Sequence, residues 1–377
     1  MKIMFLVFHG FSEISGISKK IFNQVDGLRS LGHEVSVASY DIGSDNHRVR
    51  MVDNQVIEDY GTGKLAPVKK RICYGKLADY IIENHFEFVY IRSFHNANPF
   101  TIGFVRKLKR KGIKVVMEIP TFPYDQEYEQ FPFFPRMELQ VDRLFRKQLA
   151  RQLDAIVTFT DDNLIFGQKT LRISNGIDFS RISMKKRKND TSHALNLIGV
   201  AEVHYWHAFD RVIKGIGEYY SHPHKKEIYF HIIGGIADYE MFGSGNLSGF
   251  DEIIKKYGIE KQIIFHGVKY GPELNTLFEQ CDLAIGSLGR HRTGIDKIKT
   301  LKNREYAARG IPFIYSETDS DFDQKPYILK IPADETAVDI NRLIDFYQHI
   351  DLSPAEIRES VKELSWQKQM EKVIKSL

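Results

Sequence analysis

Short runs that are apolar almost residue by residue, alternating with helices that are apolar on one face only, narrow the folds open to this chain more than any other feature. The first run is Lys2–Phe8, and the helix after it carries Ile17, Ile21, Val25, Leu28 and Leu31 at spacings of three and four. Gly32 ends that helix, and Glu34–Ser39 resumes as strand. Phe86–Ile91 and Lys114–Ile119 read as further strands, separated by a helix over Pro99–Lys111 with proline in its first turn and Gly112 past its end. A helix around Met137–Ala150 then leads to a strand over Ala155–Phe159. A strand with one wet face alternates apolar and polar side chains. These do not, so burial on both faces of a parallel sheet is predicted.

The alternation breaks at Asn175–Ser192. Asn175-Gly176-Ile177-Asp178 reads as a turn, and Lys185-Lys186-Arg187-Lys188-Asn189-Asp190 is a charge run without periodicity. A second series follows in Leu195–Val200, Ile228–Ile233, Ile263–His266, Leu283–Ser287 and Ile311–Tyr315, with helices between them. The economical fold is α/β, with two doubly wound Rossmann-like domains facing each other across a cleft. The expected division is 1–180, a linker at 181–192, 193–360, and a terminal segment 361–377. At 377 residues the chain is long enough for two cores of this size.

Composition excludes other classes. With 42% apolar and 27% charged residues the chain is neither disordered nor fibrous. No apolar run approaches the roughly 20 residues that span a bilayer, and the N-terminal run is too short for a signal peptide. Cys73 and Cys281 stand far apart with no metal-ligand spacing, so neither a disulfide framework nor a zinc site is expected, and a cytoplasmic setting is. All of the net +4 lies in residues 1–180, which hold 25 Lys+Arg against 21 Asp+Glu out of totals of 53 and 49. Much of it is Arg106, Lys107, Lys109, Arg110, Lys111 and Lys114. That cluster is either a solvated helix face or a surface for anionic lipid headgroups or a phosphorylated acceptor. The charge is too small to suggest a nucleic-acid partner.

Common phosphate and hydrolase signatures are missing. Gly61-Thr62-Gly63-Lys64-Leu65-Ala66 has the glycine spacing of a dinucleotide loop but no strand before it, and no P-loop, HExxH or GxSxG occurs. Asp319-Ser320-Asp321 reads as an acidic turn, and no metal site is expected. The segment Leu301–Phe313 says more. It is a helix ended by Gly310 and followed by a buried strand, with Lys302 and Glu305 on one face near its start. A carboxylate there suits the vicinal hydroxyls of a ribose, while the free amides and Lys302 suit a diphosphate.

Glu305-Tyr306-Ala307-Ala308-Arg309-Gly310-Ile311-Pro312 resembles the Glu-Ala-Met-Ala-x-Gly-x-Pro signature of GT-B glycosyltransferases, specifically glycosyltransferase family 4. Other segments resemble that family in order along the chain. They are Gly32-His33-Glu34-Val35, Asn175-Gly176-Ile177-Asp178, Trp206–Ile213, Ile232-Ile233-Gly234-Gly235 and Phe265-His266-Gly267-Val268. The resemblance implies GT-B architecture, a nucleotide-sugar donor (a UDP- or GDP-sugar) in the C-terminal domain, an acceptor in the N-terminal domain, and transfer with retention. It implies Glu305 at the ribose, the backbone around Val268 and Lys269 at the base, Gly234 at a strand end framing the nucleotide, and Gly16 close to the diphosphate. It also implies that the helix from Trp366 returns to the N-terminal domain. No cofactor beyond the donor substrate is implied.

Two departures shift the expected chemistry. Glu202 and His207 stand where the family places an arginine and a lysine against the leaving diphosphate, and Lys297 stands where its first glutamate would be. Arg290, Arg292 and Lys302 are therefore expected to stabilise the departing diphosphate, with His207 as a further donor contact. On the acceptor side, Glu118-Ile119-Pro120-Thr121-Phe122-Pro123-Tyr124 looks like a stretch of some capsule-type transferases. Glu118 is expected to orient or deprotonate the acceptor, with Arg92 beside it. The chain is thus expected to be a metal-independent, retaining hexosyltransferase of polysaccharide assembly, peripheral at the inner face of a membrane. A sugar-nucleotide epimerase or a non-catalytic sugar-nucleotide-binding protein are the alternatives.

Overall fold

The computed structural model describes residues 1–12, 16–43, 45–93, 95–125, 133–235 and 247–377. They form two compact units, Met1–Gly176 with Ser365–Leu377, and Ile177–Leu364. The first holds β1 (Lys2–Leu6), α1 (Gly16–Ser30), β2 (Glu34–Ile42), β3 (Arg48–Val52), β4 (Gln55–Asp59), α2 (Ala66–Ile72) and α3 (Gly75–Glu83). It continues through β5 (Phe88–Arg92), α4 (Pro99–Arg110), β6 (Lys114–Ile119), α5 (Phe133–Ala150), β7 (Ala155–Thr158), β8 (Leu164–Ile165) and β9 (Gln168–Arg172). Its sheet runs β4-β3-β2-β1-β5-β6-β7-β9-β8, parallel from β2 to β9, with antiparallel β3, β4 and β8 at the edges.

The second unit holds β10 (Ala194–Val200), α6 (Phe209–Tyr220), β11 (Glu227–Ile233), α7 (Leu247–Tyr257), β12 (Ile263–Gly267) and α8 (Gly271–Gln280). It continues through β13 (Leu283–Ile285), α9 (Leu301–Arg309), β14 (Phe313–Tyr315), β15 (Ile328–Lys330), α10 (Ile340–Gln348) and α11 (Pro354–Glu359). Its sheet is parallel throughout, in the order β12-β11-β10-β13-β14-β15.

The unbroken apolar runs have the origin expected of them. Met4 and Leu6 enter one core cluster while Ile3, Phe5 and Val7 enter another, so successive side chains fill opposite faces of one sheet. In the second unit Leu195 and Leu197 fill one face and Ile198 the other.

The expected linker, 181–192, packs as part of the second unit. Lys185 is buried, and its ammonium donates to the carbonyls of Phe278 (3.3 Å), Glu279 (2.7 Å) and Cys281 (2.6 Å). A charge run without periodicity looked like a free connection because those carbonyls lie over ninety residues away. The last helix, α12 (Trp366–Lys375), packs on α1. A Cβ on Gly27 would stand 2.9 Å from the Trp366 carbonyl oxygen, and one on Gly176 would stand 2.2 Å from the indole ring. Cys73 and Cys281 are both free. No helix among the described residues is long and apolar enough to cross a membrane.

Candidate functional site

From β10 the second sheet grows towards β11 on one side and β13 on the other, so β10 and β13 flank its switch point. A parallel sheet leaves a crevice there, at the carboxyl ends of its strands. Three segments leave those ends: 201–208 after β10, 286–294 after β13 and 316–319 after β14. Backbone bonds stitch them together. The amides of Leu288 and Gly289 donate to the carbonyls of His207 (3.1 Å) and Trp206 (3.1 Å), and that of Ser316 donates to Ser287 (3.0 Å).

Side chains fasten the loop after β13 from outside. The buried Arg211 donates to the carbonyls of Leu288 (2.6 Å), Pro332 (3.1 Å) and Thr336 (2.8 Å), and to Asp334 (3.0 Å). Arg292 grips Asp210 at 2.9 and 3.1 Å and Glu335 at 2.5 and 2.9 Å, and His291 meets Glu335 at 2.7 Å. Its donors are committed to the protein, so Arg292 holds the loop and is not free to meet a leaving group as the sequence suggested. Asp210 and Glu335, which decide this, lie over forty residues to either side of it.

What the loop carries is different. Among the described residues, every buried side-chain nitrogen or oxygen of the second unit that lacks a hydrogen-bond partner lies between Ser287 and Glu317. These atoms are Ser287 Oγ, Arg290 Nε, His291 Nδ1, Lys302 Nζ, Asn303 Oδ1 and Glu317 Oε2. Buried polar groups are ordinarily satisfied, so this concentration makes the segment the candidate site. Lys302 sits in the first turn of α9, its ammonium 5.8 Å from the Phe209 ring at the start of α6, and the Arg290 guanidinium lies 5.5 Å from the Trp206 ring. Burial, reinforced by Arg290, lowers the Lys302 pKa to about 7. Burial raises the Glu317 pKa to about 7, against the pull of Arg290 and Lys302.

His207 is buried, and burial followed by the nearby Lys302 and Arg290 holds its pKa far below the usual imidazole range. Its Nδ1 accepts from the His204 amide at 3.0 Å, so the neutral ring carries its proton on Nε2 as a donor. Glu305 lies one turn along α9 from Lys302. It is half-buried, with one oxygen held by Arg309 at 2.8 Å, and Arg309 reaches on to Asn275.

The backbone beside β10 is equally confined. Gly234 has φ +128°, and a Cβ there would stand 1.7 Å from the Ala201 carbonyl oxygen. Its amide donates to Gly267 at 2.8 Å, which brings the ends of β11 and β12 together. Val268 follows, exposed, and Lys269 pairs with Glu273 at 3.3 Å. The second unit thus gathers His207, Arg290, Lys302 and Glu305 about one switch point, with Gly234, Val268 and Lys269 at the neighbouring strand ends.

Gly16 and Glu118 belong to the first unit. Gly16 is the first residue of α1. Glu118 stands in register with Arg92 across β5 and β6, and they pair at 2.5 Å as expected. It is 0% exposed, with Tyr90 and Gln24 each donating at 2.6 Å and the Lys20 ammonium forming an ion pair at 3.9 Å. Burial raises its pKa, but Arg92, Lys20 and the two donors outweigh that and leave it lowered. Both of its oxygens are engaged within the first unit, which does not fit the expected direct contact with an acceptor and leaves it holding the ends of β5 and β6 together.

Asp319 and Asp321 are held by the buried Arg304, which reaches both carboxylates of the pair. No group of three acidic, histidine or cysteine side chains that could hold a metal occurs among the described residues. Of the basic cluster, Lys107 pairs with Asp79, and Lys109 and Lys114 pair with Asp154. Sequence reasoning missed Ser287, Glu317 and Arg211, whose burial depends on segments distant in the chain.

The class these features define is one of fold: two doubly wound units in the GT-B architecture. No protein-family profile and no curated protein matches this chain in sequence. Solved structures do match in fold. Sucrose-phosphate synthase from Thermosynechococcus elongatus superposes over 99% of this chain and 97% of its own, with TM-score 0.59 and 11% identity. An E. coli trehalose-6-phosphate protein bound with UDP-2-fluoro glucose matches over 100% and 98%, with TM-score 0.60 and 14% identity. TarM matches over 100% and 98%, with TM-score 0.58 and 12% identity.

Proposed function

We propose that the chain is a glycosyltransferase that holds a nucleoside-diphosphate sugar at the β10/β13 switch point and passes the sugar to a saccharide or lipid-linked acceptor in polysaccharide assembly. The observation that carries this reading is the cluster of buried, unpartnered polar atoms from Ser287 to Glu317 on a GT-B fold. As the bond from sugar to phosphate breaks, negative charge grows on the diphosphate. Arg290, Lys302 and the Nε2–H of His207 are donors with spare capacity there, already arranged before substrate arrives. Glu305 takes the ribose hydroxyls, and the base lies against Val268 and Lys269.

Arg290, and a Lys302 that the charge of the bound diphosphate keeps protonated, supply the charge a divalent ion supplies elsewhere, so the reaction runs without a metal. With no carboxylate assigned as nucleophile, the acceptor hydroxyl attacks the face the diphosphate leaves, its proton passing to a departing phosphate oxygen, and configuration is retained. The lipid-linked acceptor is favoured by α5. Met137, Val141 and Leu144 recur there at helical spacing, 49%, 41% and 71% exposed, with Arg136 and Lys147 also exposed. Such a face suits an anionic membrane surface.

The test is thermal unfolding with UDP, GDP and ADP, with and without EDTA, for the native protein and Glu305→Ala. A nucleotide at about a hundred times its Kd stabilises the folded state by about 2.7 kcal/mol. One diphosphate should raise Tm by several degrees regardless of EDTA, and Glu305→Ala should remove the shift. No shift with any of the three would refute the reading.

A further inference from the structure

Glu317 is the member of the cluster that a diphosphate cannot explain. It follows β14, is 2% exposed, and its backbone is held firmly. The Ser316 amide donates to the Ser287 carbonyl, the Thr318 amide donates to Asp296 at 2.7 Å, and the Ile298 amide donates to Thr318 at 3.1 Å. One carboxylate oxygen accepts from Asn303 Nδ2 at 3.5 Å; the other, Oε2, is buried with no partner. Arg290 and Lys302 are near enough to pull on its protonation, yet neither forms an ion pair with it, although both have unpartnered nitrogens.

The fold therefore buries an acceptor oxygen and two cationic side chains within one another's electrostatic reach without pairing them. A ligand that satisfies all three must present negative charge to the cations and a hydrogen-bond donor to the carboxylate. The ionised Glu317 repels inorganic phosphate or pyrophosphate, and a nucleoside diphosphate offers it a donor only through the ribose, which the proposed reading places on Glu305. A sugar phosphate meets both, because hydroxyls lie beside the phosphate it carries.

We propose that Glu317 binds the sugar portion of the donor through a sugar hydroxyl and so makes the site select the nucleotide sugar over the free nucleoside diphosphate. This rests on the reading of the site as a nucleotide-sugar site. It gives Glu317 a second consequence, since the diphosphate left after transfer no longer satisfies the carboxylate and is repelled towards release.

Titration calorimetry tests it on the full chain, with UDP and UDP-glucose, GDP and GDP-mannose, and ADP and ADP-glucose, for the native protein and Glu317→Gln. The native protein should bind one sugar nucleotide more tightly than its diphosphate. Glu317→Gln should bind that diphosphate at least as tightly and the sugar nucleotide about tenfold more weakly, the scale of a hydrogen bond to a charged group. A merely structural role would weaken both ligands together, and that result, or an unchanged ratio, overturns the proposal. Singly deoxyfluorinated sugars of the same donor supply a test on the native protein, independent of whether the variant folds. One should bind about tenfold more weakly, and equal binding of all of them overturns the proposal. If the native protein binds no diphosphate and no sugar nucleotide, the nucleotide-sugar reading fails and this inference fails with it. If it binds them without dependence on Glu317, only the inference fails.

Discussion

Lys302→Met should make the empty protein more stable and leave it unable to hold the diphosphate. The ammonium nitrogen is buried without a partner, and burial together with Arg290 draws its pKa from 10.5 to about 7. At about 1.4 kcal/mol per unit, holding this cation in the empty site costs on the order of 4 kcal/mol at neutral pH. Methionine keeps much of the length of the side chain and none of its charge. For a unit of this size each kilocalorie is about 2–4 °C, so Tm of the empty protein should rise by several degrees. The sign with pH is also fixed. Between about 7 and 10.5 the unfolded chain binds a proton at Lys302 that the folded one does not, so native stability gains from rising pH across that window. The variant should lack that gain. Thermal unfolding at pH 7 and pH 9, with and without the stabilising nucleoside diphosphate, reads all of this. A less stable empty variant, or one that keeps the native nucleotide shift, would mean that Lys302 is neither a strained buried cation nor a diphosphate ligand.

Arg290→Ala and Arg292→Ala should separate although the two residues are neighbours in one loop. Arg290→Ala should weaken diphosphate binding about tenfold in titration calorimetry with no loss of Tm, whereas Arg292→Ala, which strands Asp210 and Glu335, should cost about 1 kcal/mol in denaturant unfolding. Glu118→Gln should destabilise the first unit by about 3 kcal/mol, because Arg92 and Lys20 lose their buried counter-charge, and should leave the nucleotide-induced Tm shift intact. The lowered pKa of Glu118 means that its contribution is present at neutral pH and is lost as acid protonates it below the ordinary carboxylate range. Acid unfolding should therefore be shallower in that variant.

The parallel core of both units was legible because two-sided burial writes itself into the strands as unbroken apolar runs. What stayed hidden was at the edges. The hairpin of β3 and β4 turns at Asp53 and Asn54, both with positive φ, and that of β8 and β9 turns at Phe166 and Gly167. Asp53-Asn54 is a turn signal that residue chemistry offers. The strands beside it are five residues each and mix charged with apolar side chains, so neither carries an unbroken apolar run.

The site was legible in part for similar reasons. Lys302 and Glu305 share a helix face, so local spacing brings them together, and Arg92 with Glu118 follows from adjacent strand ends. The opposite duties of Arg290 and Arg292 follow from Asp210 and Glu335, which no local pattern connects to them. Glu317 reads in sequence as one more acid beside Asp319 and Asp321. Arg304 claims those two, while the fold closes over Glu317 and leaves one oxygen unmatched.

A crystal structure with the nucleoside diphosphate that raises Tm would show whether the switch point of the second unit holds the diphosphate of a nucleotide sugar. Phosphate oxygens should lie about 3 Å from Lys302 Nζ and the Arg290 guanidinium, with the ribose on Glu305. A diphosphate bound anywhere else, with Lys302 and Arg290 still unpartnered, would contradict that placement.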